Sequence, residues 1–581
     1  MFMGYRLLVL TILSFAVAAL LAFGLRENRV LGGQTRITSN KTYVVKCAPD
    51  WNEISRFIAF NDIPPIEGAG NHKWKISTND DSAQFYFNQG MNMYYSFHII
   101  EAMASFTKAA GFDPESPMLY WAQALTYGPN INDIGYVASS EALGAAERSN
   151  ELSGNASALE KLLIQAQRAR YSSDTSISRE KLNQAYADKM KAIYEKHPGN
   201  ADVAALYADA LMLQHPWDLW NNEGQPRAWT PRIREVLEKL LARFPDHPGA
   251  NHYYIHVMEA SPFAEKALAS AERLGKLTPA LSHTVHMPSH IYLRTGHYDK
   301  GVAVNKAAIA SYTKMFPLYP AIKNNDFLYV IHNLHMQANS AMLKGNSKEA
   351  VEASTETFNS IPEDYLSAPG TLGSFIQYVS MTPVLTNIRF ARWNELLDMH
   401  PPDSALSYAN VLYHFGRGMA LARLSGGEEA ALELEKLRAR MKDSILHVPF
   451  TPFSAAIEGA KVAESMLEGV IAMQAGDLTG AIAAFKTAVT TEENMVYTEP
   501  RDWLLNPKHY LGDALNKAGK FVEAEKVFLK DLQNNRENGW ALYGLYQAQV
   551  GQKKTTEAEK TLARFKTAFA KADVKLTSSV M

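Results

Sequence analysis

The stretch Glu468–Val489 reads EGVIAMQAGDLTGAIAAFKTAV, and it decides the fold. Two apolar-periodic runs flank Gly476-Asp477, a short turn with a helix stop and a helix start in it. Gly469, Gly476, Ala481, Phe485 and Ala488 form a frame. Gly512, Gly519, Phe521, Ala524 and Phe528 reproduce most of that frame 43 residues later, and Trp540, Gly544 and Gly551 begin it a third time. Working outward, Gly90, Ala102, Phe106, Ala109 and Pro114 keep the same offsets near the N-terminus, and Gly345, Ala350 and Pro362 keep them in the middle. The physical unit is a helical hairpin. Small side chains let two antiparallel helices approach, phenylalanine fills the gap to the next hairpin, and proline stops the second helix.

This pattern resembles the 34-residue tetratricopeptide repeat (TPR). About six copies match it, most clearly at 83–116, 331–364 and 462–571. The resemblance implies an all-α, right-handed superhelical solenoid over 81–581, whose first helices line a concave groove that holds a peptide or protein partner. Elsewhere, as in Asn200–Gln214, helical periodicity persists without the consensus residues.

Bulk properties narrow the partners. The 581 residues are 47% hydrophobic with 58 basic and 60 acidic side chains, so no basic excess points to nucleic acid. Cys47 is the single cysteine, which excludes an intramolecular disulfide. Leu7–Leu25 is an uncharged run of 19 residues, LLVLTILSFAVAALLAFGL, about 28 Å long as a helix. Residues 1–25 are therefore expected to be a cleaved export signal or a retained anchor, with a buried core helix as the alternative. The chain is then exported, periplasmic or membrane-anchored, and meets the membrane only there. Residues 26–80, polar and broken by Pro and Gly, read as a linker or irregular cap.

Histidine is concentrated between 247 and 335, in HPGANHYYIHVMEAS (247–261), HTVHMPSHIYLRTGHY (283–298) and VIHNLHMQANSAMLKG (330–345). His252 and His256 are one helical turn apart, with Glu259 three residues on, so they share a face. Two imidazoles so placed can reach one ion, and the carboxylate can be a third ligand or hydrogen-bond partner. Pro288 suits a first helical turn, which puts His290 on a helix and His286 just ahead of it. His332 and His335 are three apart on a helix ended by Gly345. In the repeat frame His286, His290, His332 and His335 fall at places that the TPR resemblance turns toward the groove, and the spacing of His252 and His256 suggests the same.

The expected metal set is therefore His252, His256, Glu259, His286, His290, His332 and His335, with a transition metal such as Zn, Cu or Fe. The competing readings are a peptide-binding scaffold without metal and a pH-responsive binder. No HExxH, paired CxxC or phosphate-cradling glycine motif points to a known hydrolase.

The same segments resemble those of a subset of exported bacterial TPR proteins, as do YWAQALTYGPNIN at 120–132 and Tyr497, Glu499, Pro500, Asp502 and Trp503. The resemblance spans roughly 83–550. Where related sequences have Asn-His, this chain has His98-Ile99. Further groove or ligand-binding candidates are Asn130, Asn132, Tyr253, Tyr292, Glu499, Asp502 and His509. Asn130 and Asn132 also suit a helix cap, and Glu499 and Asp502 suit acid–base work or a helix entry. The aromatic loop HPWDLW (215–220) reads as a plug between hairpins or a lid over the groove.

Overall fold

The computed structural model describes residues 51–581 except 61, 134–135, 320–326, 451 and 500–502. The Leu7–Leu25 segment, Cys47 and Asp502 lie outside the described residues. Among the described residues helices follow one another from Trp51–Phe60 to Thr555–Ala568. The only pairing of extended backbone there is an isolated antiparallel bridge, Trp220 with Pro226. No described helix is long and apolar enough to cross a membrane. The architecture is an all-α solenoid of TPR-like hairpins: Asp81–Tyr95 with Ile99–Phe112, Phe327–Leu343 with Ser347–Asn359, Ser407–Leu424 with Gly427–Arg440, and Ala456–Gln474 with Leu478–Asn494 are examples.

The repeat residues meet as their chemistry requires, with one difference from expectation. A Cβ at Gly469 would collide with the ring of Phe485, and one at Gly90 with the ring of Phe106. The phenylalanine thus packs first on the glycine of its own hairpin. Phe528 does both jobs, filling the space over Gly512 and over Gly544 of the following hairpin. Gly296, Gly345, Gly476 and Gly519 end first helices at φ of +80°, +75°, +77° and +71°, a conformation that side chains with a Cβ avoid.

Two large apolar cores result. One draws on residues from Ala69 to Tyr292, the other on residues from Val302 to Val580. The chain curls so that sequence-distant hairpins touch: the Tyr298 hydroxyl donates to the Arg536 carbonyl at 2.8 Å, and Trp540 Nε1 donates to the Met342 carbonyl at 2.8 Å. Between the two cores lies a polar seam built by the helices Pro248–Glu259, Ser282–His286, Pro288–Thr295 and Phe327–Leu343.

Candidate metal centre

The helix Pro248–Glu259 is buried along its whole length, polar side chains included. Pro248 stands at its first turn, and the His247 side chain caps it by accepting the Ala250 N–H at 3.2 Å. Its i, i+4, i+7 stripe is His252, His256 and Glu259, each at most 2% exposed. Burying such groups is costly unless each polar atom finds a partner.

The Nδ1 side of that stripe is fully committed. His252 Nδ1 donates to the Tyr95 carbonyl at 2.7 Å, and His256 Nδ1 donates to Glu259 Oε1 at 3.0 Å. Neutral imidazole carries one proton, so both Nε2 atoms are left as bare lone pairs. Those two Nε2 atoms lie 3.1 Å apart, and His283 Nε2 lies 3.1 Å from that of His252. His283 Nδ1 has no hydrogen-bond partner among the described residues. Its helix is held from the N-terminal hairpin by His98: Nδ1 donates to Glu101 at 2.6 Å, and Nε2 lies 3.4 Å from the His283 N–H and 3.3 Å from the Ser282 hydroxyl.

A second triad repeats the arrangement. Asn305 Nδ2 donates to the Gly301 carbonyl, which leaves Asn305 Oδ1 to accept from His286 Nδ1 at 2.5 Å. His286 Nε2 is therefore a lone pair, 2.8 Å from His290 Nε2 and 3.0 Å from His332 Nε2. His290 Nδ1 sits 2.9 Å from Glu259 Oε2, off the hydrogen-bonding direction. Met287 separates the helices of His286 and His290, yet their Nε2 atoms still converge.

Glu259 joins the triads. Its Oε1 serves His256, its Oε2 faces His290, and the Tyr497 hydroxyl donates to Oε2 at 3.0 Å. Burial opposes its ionisation, but the neighbouring His290 and His256 hold the carboxyl well below the usual range. Glu499 lies 3.6 Å from Nδ1 of both His256 and His290, and 4.0 Å from His332 Nε2. Burial first and the charge of Glu259 second push its carboxyl upward. His252, His283, His286 and His332 are all pushed well below the ordinary imidazole value, by burial and then by the other imidazoles. They are neutral near pH 7. The side chains of His332 and Glu499 are 16% and 15% exposed, so the second triad is the one nearer solvent.

Of the residues expected from sequence, the structure brings His252, His256, Glu259, His286, His290, His332 and Glu499 together. His335 is not with them. Three residues on a helix turn a side chain by about 60°, and His335 Nδ1 bonds Thr382 Oγ1 at 2.8 Å instead. Tyr253 packs against His252 and Phe97, while Tyr292 packs against His297 and under Lys300. Asn130 and Asn132 close a turn with Asp133 rather than cap a helix, since the next one, Ser140–Glu151, is capped by Ser139, and none of their hydrogen bonds reaches a triad histidine. His509 is buried with Asp531, Arg389 and Asn538, not with the triads. In the aromatic loop, Trp217 presses edge-on against His256 with ring centroids 5.5 Å apart. The sequence reading missed His283. The HTVH spacing held the signal, but a helix placed to begin at Pro288 hid the short helix Ser282–His286 before it.

No protein-family model matches the chain, and no curated protein matches its sequence. Among solved structures, the chain is similar to the human IFIT1 dimer with m7Gppp-AAAA, at 11% identity over 88% of this chain and 92% of that one, with a TM-score of 0.31. It is similar to the APC/C hetero-tetramer Cut9–Hcn1 at 13% identity over 84% and 74%, TM-score 0.28. A third is yeast Tom70, at 10% identity over 84% and 93%, TM-score 0.28.

Proposed function

We propose that this chain is a metal-binding repeat protein whose solenoid holds two transition-metal ions, one in each histidine triad. The observation that carries the reading is the facing of imidazole lone pairs. His252 and His256 have both given their Nδ1 protons to oxygen acceptors, yet their Nε2 atoms are 3.1 Å apart. In the second triad His286 Nδ1 is likewise committed, to Asn305 Oδ1, and its Nε2 lone pair faces the Nε2 atoms of His290 at 2.8 Å and His332 at 3.0 Å. In the first triad a proton on His283 Nε2 relieves its contact with His252 and leaves that of His252 with His256 repulsive, whereas a cation relieves both. Nitrogens on a tetrahedral ion at about 2.0–2.1 Å lie roughly 3.3–3.4 Å apart, so each triad needs only a slight opening to accept one.

The surroundings support the same reading. Ligating imidazoles characteristically donate their other nitrogen's proton to a carboxylate, amide or carbonyl, which fixes ring and tautomer. Tyr95, Glu259 and Asn305 supply such acceptors. Neutral imidazole suits Zn, Cu or Fe. Three protein ligands leave a coordination position for water or a small substrate. Glu499, adjacent to both triads and favoured in its protonated form, is placed to hold a proton beside that position. An extracytoplasmic setting rests on the sequence of Leu7–Leu25.

Cobalt(II) titration of the full chain, followed by visible absorption, tests the proposal. The expected result is two equivalents with d–d bands of low-coordinate cobalt, one lost in His283→Ala and the other in His332→Ala. No uptake, or uptake indifferent to both substitutions, overturns it and leaves a groove for a peptide or protein partner as the better account.

A further inference from the structure

Away from the histidine triads, at the opposite end of the Pro248–Glu259 helix, lies a cleft of about 570 Å³. Its wall carries Lys73, Arg243 and Lys276 against a single carboxylate, that of Asp246. None of these three cations makes an ion pair with a carboxylate among the described residues, on a surface where many other lysines and arginines do. His247 also lines the cleft. Its Nδ1 accepts the Ala250 N–H, so its Nε2 must carry the proton. That Nε2–H is buried, in a residue only 3% exposed, and has no hydrogen-bond partner among the described residues. The nearest carboxylate oxygen, Asp202 Oδ1, is 3.4 Å away and already accepts from His72 Nε2 at 2.7 Å and from the Tyr95 hydroxyl at 2.9 Å.

His72, Asp202 and His247 are close enough to suggest a metal, but the cap argues against one. An ion on His247 Nε2 would require the proton on Nδ1, where the Ala250 N–H already points. An anion leaves that cap intact: it would accept from His247 Nε2 and face three cations that form no salt bridge among the described residues, whose charge offsets that of the Asp202 carboxylate nearby. The cleft also lies at the N-terminal ends of two helices, Ala201–Met212 and Pro248–Glu259, where the backbone field favours negative charge.

We propose that this cleft binds a phosphate group, an anion that Lys73, Arg243 and Lys276 can hold against the carboxylates of Asp246 and Asp202. Isothermal titration of inorganic phosphate into the full chain, stripped of metal by chelator and carrying His256→Ala and His332→Ala to disable both histidine triads, tests it. Saturable one-to-one binding is expected, weakened at least about tenfold in Arg243→Gln/Lys276→Gln, since two charge-assisted hydrogen bonds are lost. The unfolding temperature should move little, because neither side chain forms a salt bridge among the described residues and the Arg243 bond to the Pro198 carbonyl is exposed. Sedimentation with phosphatidic acid vesicles separates the sources. Pelleting that inorganic phosphate competes away assigns a lipid headgroup. Phosphate binding without pelleting assigns a soluble phosphate ester. Absence of saturable binding at millimolar phosphate, or binding unchanged in the double variant, overturns the proposal.

Discussion

His509 and His252 stand on first helices of hairpins in one solenoid and are equally buried, yet their surroundings differ in kind. Around His509 each ring nitrogen meets a complementary group: Nδ1 lies 3.1 Å from the Arg389 guanidinium and Nε2 lies 3.0 Å from Asp531 Oδ2. Asn538 Nδ2 also donates to Asp531 Oδ2 at 3.1 Å, so a carboxylate gathers the donors of that network. Around His252 one nitrogen is satisfied by a carbonyl, and the other faces two further imidazoles. Burial does not make a histidine a ligand. What distinguishes the central region is that like faces like, an arrangement left incomplete by the protein's own atoms.

The comparison can be broken most sharply at the triads. His252→Ala or His286→Ala should abolish stoichiometric metal in the affected triad, read by equilibrium dialysis, whereas His509→Asn should leave metal uptake intact. Equal loss in all three would erase the distinction. Next in size is a packing test in the C-terminal hairpins. Phe528→Ala should cost about 3–5 kcal/mol by chemical denaturation, with metal uptake unchanged in the folded protein. A third substitution sharpens the role of the shared carboxylate. Glu259→Gln should weaken metal at both triads by about 10–100-fold in competition titrations, because one side chain orients His256 and faces His290. An effect on one triad alone would show that they are independent.

The smallest expected effect concerns acid. Burial pushes His335 down to about 4, against about 6.5 in an unfolded chain. The unfolded state therefore binds more protons in this window, and stability falls as pH drops from about 6.5 toward about 4. His335→Phe should make the acid-induced fall in Tm of the metal-free protein smaller by a few degrees. An unchanged fall would show that His335 does not contribute to it.

Much of the fold was legible because the hairpins repeat a physical constraint. Gly469 with Phe485, and Gly512 with Phe528, are pairs that sequence offset alone connects. The site was legible where ligands share one helix, as His252, His256 and Glu259 do. It was less so where helices meet. His283 lies on a helix of five residues, too short to leave a periodic signal, and His335 was misplaced because three-residue spacing fixes only an approximate direction. The acceptors that settle the tautomers, the Tyr95 carbonyl and Asn305, could not be read at all. One is a backbone group 157 residues from its partner, and the other comes from the neighbouring helix Tyr298–Met315.

The most direct measurement is metal content by inductively coupled plasma mass spectrometry, on the full chain purified without a histidine tag or chelator. The account predicts two equivalents of transition metal per chain, falling to one in His283→Ala and in His332→Ala, and to none when both are changed. A chain that carries no metal and takes up none on titration would contradict it.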